Sequence, residues 1–137
     1  MLCLAIQEVV TLIESINIKI WDRDFYLPVV YDCYTGENVT DEQINALDMF
    51  LKKPKLIIKS KQIVIKFCST KVNEDKTNQK KDNIFSYIKP EAIFVKRDEK
   101  NPRVALMCKY KYDLEHGLAI VFDYKGNIEV GLQDIIL

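Results

Sequence analysis

Glycine and proline are scarce, at four residues each in 137, which excludes collagen-like and low-complexity chains. Histidine occurs once, at His116, so neither an imidazole relay nor a multi-histidine metal site is available. The four cysteines stand at 3, 33, 68 and 108, and no CxxC pair exists. That spacing is not that of metal ligands, and we expect no metal and no cofactor. Cys68 and Cys108 sit in apolar runs and read as small buried hydrophobes. No apolar run approaches the roughly 20 residues of a membrane span. The first eight residues lack the basic start of a signal peptide, so the expected setting is a reducing cytosol, without membrane contact.

What the chain has is apolar content and balanced charge. Hydrophobic residues make up 48%, and a chain of this length buries roughly 65–70% of its unfolded surface, enough for one domain spanning 1–137. The 20 basic and 20 acidic residues cancel, but not locally. Residues 1–51 carry a net charge of −7, residues 52–112 of +11 and residues 113–137 of −4. The blocks either neutralise one another in the fold or leave a dipolar surface that steers charged partners.

Leu2, Ala5, Ile6, Val9, Ile13 and Ile16 recur at helical spacing and predict an N-terminal helix over about residues 1–15. Alternation at Ile16, Ile18 and Ile20 predicts a strand, and Phe25 to Tyr31 another. Pro28 places that second strand at an edge or at a bulge. Thr40-Asp41-Glu42-Gln43 has the capping-box arrangement, opening a helix that ends before Pro54. β-branched residues at 57–65 favour a strand by propensity. Yet Leu56, Ile57, Ile63, Val64, Phe67 and Cys68 fall within an arc of about 140° at helical pitch, with Lys55, Lys59 and Lys66 opposite, so a second helix starting at Pro54 is preferred. Residues 73–83 are polar and read as a mobile surface loop. From residue 91 onward strand patterns at Glu91 to Arg97, Val104 to Tyr112, Leu118 to Phe122 and Ile128 to Val130 are joined by short turns, one with Gly126 at a position needing positive φ. The fold class is α+β: a mostly antiparallel sheet, with a C-terminal meander, packed against two or three helices.

The run Tyr112-Asp113-Leu114-Glu115-His116-Gly117-Leu118-Ala119-Ile120, followed by Glu129-Val130-Gly131-Leu132-Gln133-Asp134, resembles a bacterial domain of unknown function. That domain's C-terminus reads roughly W-D-x-E-H-G-L-x-I…V-G-x-x-D, and Tyr112 stands where it often has Trp. Residues 31–43 resemble its turn-and-helix entry, so the resemblance covers about residues 16–137 and leaves out the first 15. It implies an α+β fold, no established catalysis, and a loose likeness to immunity-type proteins of bacterial toxin loci.

Asp113, Glu115 and His116 are the one tight cluster of acid–base types. No G-x-S-x-G elbow and no second histidine accompany them, so no catalytic residue is assigned. The structural reading makes Asp113 the closer of an Asx-type turn, His116 a partner of a nearby carbonyl, and Gly117 a residue in a conformation that Cβ-bearing residues avoid. The same cluster serves equally as a recognition surface. Trp21, Phe25 and Tyr26, beside Asp22 and Asp24, are either an interface anchor or, the preferred reading, core residues. Lys55, Lys59 and Lys66 form a candidate basic face, either solvated or meeting an acidic partner; overall neutrality argues against nucleic acid. Asp32, Glu37, Asp41 and Glu42 lack the ligand spacing of a calcium loop.

The expected function is a small, non-enzymatic protein-binding domain, in its specific form an immunity protein that occludes a cognate toxin. The alternatives are an enzyme using Glu115 and His116, and an accessory domain docking on a larger assembly through its first helix.

Overall fold

A computed structural model describes residues 14–76 and 82–137. Six strands form one sheet in sequence order: β1 (Glu14–Ile20), β2 (Arg23–Tyr31), β3 (Ile88–Val95), β4 (Arg103–Tyr110), β5 (Leu118–Asp123) and β6 (Ile128–Leu132). All neighbours pair antiparallel except β2 and β3, which run parallel over Val29–Tyr31. A parallel pair needs a long crossover. Here it carries both described helices, α1 (Asp41–Leu51) and α2 (Pro54–Glu74). α1 lies over β3 and β4, and α2 over β5 and β6, so the architecture is the expected α+β class with two helices on the sheet.

The helix side of the sheet holds the main core, built on Ile20, Val29, Ile93, Leu106, Ile120 and Phe122 against Leu47, Phe50, Ile57, Val64 and Cys68. Because alternate strand residues face opposite ways, Phe94, Ala105, Ala119 and Val121 form a smaller cluster on the other face, joined by the C-terminal Ile135 and Ile136. Helix ends follow local chemistry. Thr40 accepts from the Gln43 N–H at 3.1 Å while the Gln43 amide oxygen takes the Thr40 N–H at 3.0 Å, completing the capping box. Pro54 opens α2, where its missing N–H costs nothing.

Several expectations need correction. Glu14, Ser15 and Ile16 belong to β1 rather than to a helix, because Ile16, Ile18 and Ile20 follow the two-residue period of a strand paired with Phe25 and Leu27. The rest of that helix, residues 1–13, lies outside the described residues. β2 is an interior strand, not an edge. Pro28 is tolerated because the β2–β3 ladder begins one residue later, at Val29. α2 continues through Asn73 and Glu74 into the segment read as a loop, since the buried Val72 still packs on the core. Residues 77–81 of that segment lie outside the described residues. Phe67, placed on the buried arc, is exposed.

Cys68 and Cys108 are buried free thiols, as their apolar runs suggest. Burial pushes the Cys68 thiol up to about 11 and raises Cys108 as well, so neither is a ready nucleophile. Cys33 is buried and, unlike those two, disulfide-bonded.

The charge blocks partly neutralise one another. Asp32 pairs with Lys96 at 3.4 Å, Glu37 with Arg97 at 3.6 Å and Asp48 with Lys52 at 2.9 Å. Asp32 and Glu37 are thus held by cations of the chain itself.

Candidate functional site

Strand direction decides which loops meet. β1, β4 and β6 end, and β2, β3 and β5 begin, at one end of the sheet. That end therefore gathers the β1–β2 turn at Trp21 and Asp22, a 3-10 turn at Ile84–Ser86, and the β4–β5 loop at Lys111–Gly117. Three strand spacings, about 14 Å, separate the first from the last.

The β4–β5 loop has a fixed backbone. The Asp113 N–H donates to the Tyr110 carbonyl at 3.2 Å, and the Gly117 N–H donates to the Asp113 carbonyl at 2.9 Å. From the C-terminal turn, the Gln133 N–H reaches the His116 carbonyl at 3.3 Å and Gln133 Nε2 the Cys108 carbonyl at 3.2 Å. Gly117 has φ +65°, and a Cβ there would stand 2.5 Å from Gln133 Nε2 and 2.9 Å from the Cys108 oxygen. Only glycine fits. At the base, Asp75 accepts from Tyr112 Oη at 2.6 Å and pairs with Lys111 at 3.0 Å.

The single imidazole is held by a carboxylate rather than by a carbonyl. Asp113 Oδ1 accepts from the His116 N–H at 3.1 Å and lies 3.0 Å from Nδ1, with Oδ2 at 3.1 Å. Asp113 thus does close the turn, but it also takes the ring, because its second oxygen is within reach once the backbone bond forms. Nδ1 carries the proton in this arrangement, assigned from its partner. Nε2 faces Glu115 at 3.8 Å. The hydrogen bond and charge of Asp113 raise His116 above its ordinary 6.5, and the bonds from the His116 backbone and ring hold Asp113 below 3.8. An oriented imidazole is one half of a nucleophile–base pair. Among the described residues no hydroxyl or thiol is hydrogen-bonded to the ring, and no three His, Cys, Asp or Glu side chains gather as metal ligands would.

The crest of this loop is apolar. Leu114 is 65% exposed, between Asp113 and the exposed Glu115 and His116. Sequence reasoning passed over Leu114 because a lone leucine in a charged run carries no periodic signal. Gln133 was missed for another reason: it acts across 25 residues, on the Cys108 carbonyl.

Trp21 is not an interface anchor. It is 6% exposed, and its Nε1 donates to the Ile57 carbonyl at 3.1 Å and to Ser60 Oγ at 3.3 Å, pinning the hairpin to α2. The reason lies in the turn: Trp21 and Asp22 both have positive φ, +49° and +70°, which swings the indole inward against Phe85. Asp22 and Asp24 remain exposed, Asp24 opposite Lys19 at 3.7 Å.

Lys55, Lys59 and Lys66 are exposed on α2 and make no ion pair among the described residues. Exposed Ile58 and Phe67 interrupt the stripe. A separate cleft of about 160 Å³, lined by Ala46, Met49, Phe50, Leu56 and Phe122 with Glu42 also in its wall, lies at the other end of the sheet, away from Asp113, Glu115 and His116. Among the described residues no helix is long and apolar enough to cross a membrane.

Comparison with known families matches residues 7–137 to a domain of unknown function, DUF6985, and the chain belongs to that family. The match starts earlier than residue 16, where the resemblance was placed, and so takes in part of the N-terminal segment. No curated protein and no solved structure matches the chain.

Proposed function

We propose that this member of the DUF6985 family is a non-enzymatic protein-binding domain, and that it meets its partner with the sheet end carrying Asp22, Asp24, Asp113, Glu115 and His116. The observation that carries the reading is Leu114: an exposed apolar side chain on a loop whose backbone is already fixed. A preformed contact of this kind binds with little ordering cost. The surrounding carboxylates favour encounter with a partner that is basic where it meets them. In its specific form the partner is a toxin domain that is neutralised by occlusion, as the resemblance to immunity-type proteins suggests. Occlusion needs rigidity and complementary charge but no bond-making geometry.

The test uses the product of a neighbouring coding region as partner. Charge reversal at Asp22, Asp24 and Glu115 is expected to weaken binding at least about tenfold, as loss of rim charges and steering does. Reversal at Lys55 and Lys59 is expected to leave binding unchanged. Equal loss from both sets, or loss from the lysine set alone, contradicts the reading. The oriented ring of His116 is the one observation favouring an enzyme instead. For that alternative, His116→Gln abolishes a turnover that the wild type displays; for the binding reading, no turnover exists to lose.

A further inference from the structure

Between the two acidic loops lies a feature of opposite sign. Lys89 on β3 and Lys109 on β4 stand directly opposite one another in the antiparallel register, and both are exposed. Like charges in that position destabilise a strand pair. Neither lysine makes an ion pair among the described residues. Glu91, the nearest acid along β3, sits at the bulge between Pro90 and Ala92 and takes neither. Lys111, two residues beyond Lys109, bonds Asp75. Together with Phe85, Ser86, Tyr87, Ile88 and Leu114, these three lysines line an open groove of about 230 Å³. A fourth cation borders it: the Arg23 guanidinium stands 4.4 Å over the Phe85 ring and has no carboxylate partner among the described residues.

The fold thus sets two like-charged side chains opposite one another in the register, beside a partly aromatic groove wall. An anion placed between them turns the repulsion into attraction, and an apolar group beside the anion covers Phe85 and Leu114. We propose that this groove binds a short acidic peptide segment, one carrying carboxylates next to an apolar side chain. This deepens the protein-binding reading by naming the chemistry of the segment that seats beside Leu114. Nucleic acid fits the surroundings less well. The groove is short and is flanked by Asp22 and Asp24 on one side and by Asp113 and Glu115 on the other, so a long uniform polyanion meets repulsion at both ends.

The test follows backbone amide NMR shifts of the whole chain on titration with a blocked Glu-Leu-Glu-Leu-Glu peptide, inorganic pyrophosphate, and a single-stranded oligothymidylate. The expected result is saturable shifts confined to residues 85–89 and 109–114 with the peptide, and weaker binding of the other two probes. Lys89→Glu and Lys109→Glu are each expected to weaken the peptide at least about tenfold while raising the melting temperature, because either replaces a like-charged cross-strand pair by an attractive one. The rise in stability is a readout that peptide binding does not influence. Preferential binding of the oligonucleotide, peptide binding unaffected by both variants, or no peptide binding by the wild type each overturns the proposal. Peptide binding in this groove together with a toxin partner insensitive to Glu115 reversal would leave the groove standing and remove the acidic-loop reading.

Discussion

At the scale of single residues, the Asp113–His116 pair gives a pH signature with a defined sign. His116 is raised above 6.5, so its contribution to holding the loop is complete below that value and fades as pH rises through the raised one. Asp113 is lowered below 3.8, so its contribution is complete above that value and fades as pH falls through the lowered one. The loop is therefore held most firmly between about pH 4 and 6.5. A proton NMR titration is expected to give His116 a value above 6.5, and Asp113→Asn to return it toward 6.5; a His116 value at or below 6.5 in the wild type contradicts the geometry. Gly117 tests the same loop sterically. Gly117→Ala adds a Cβ 2.9 Å from a backbone oxygen at positive φ, and chemical denaturation is expected to report a loss of about 2 kcal/mol or more. Asp22 makes the reverse case. It sits at φ +70° with an exposed side chain, so Asp22→Gly is expected to stabilise the fold by roughly 0.5–1 kcal/mol, while removing one carboxylate from the proposed docking face.

At the scale of elements, α1 shows what was legible and what was not. Thr40 and Gln43 are three residues apart, and their reciprocal bonds could be read from the chain because they are local. The same Gln43 side chain also donates to the Asp32 carbonyl at 2.8 Å and to the Val95 carbonyl at 3.2 Å, tying the helix start to the ends of the parallel pair β2 and β3. That tie spans 52 residues, and no periodicity announces it. Gln43→Ala is expected to cost about 1–3 kcal/mol in equilibrium unfolding, since it leaves the Asp32 carbonyl and the Thr40 N–H unpaired, while the Val95 carbonyl keeps the Asp32 N–H; a cost under 0.5 kcal/mol contradicts the bridging role. α2 was legible for a similar reason, its apolar arc outweighing the β-branched propensity of Ile57, Ile58 and Ile63. Pro28 misled because proline reports the loss of one donor, not which neighbour a strand has on either side. At Trp21 the residue type fits a core and an interface equally, and only the turn's positive φ values send it inward. Lys89 and Lys109 were ordinary strand lysines until the register set them face to face.

At the scale of the whole molecule, the chain's charge blocks are partly consumed inside the fold and partly sorted onto one end of the sheet. Asp32, Glu37 and Asp48 meet Lys96, Arg97 and Lys52. What is left at the sheet end alternates: Asp22 and Asp24, then the lysine groove, then Asp113, Glu115 and an exposed leucine. Such alternation suits a specific partner better than a uniform field does. The most direct measurement of that claim is photocrosslinking in extract of the source cell, with a photoreactive residue at position 114 and, as a control, at the equally exposed apolar position 58. The account predicts one discrete adduct from position 114, competed by unlabelled wild-type protein but not by Leu114→Asp, and none from position 58. An adduct from position 58 alone, or one from position 114 that Leu114→Asp competes as well as wild type does, would contradict it.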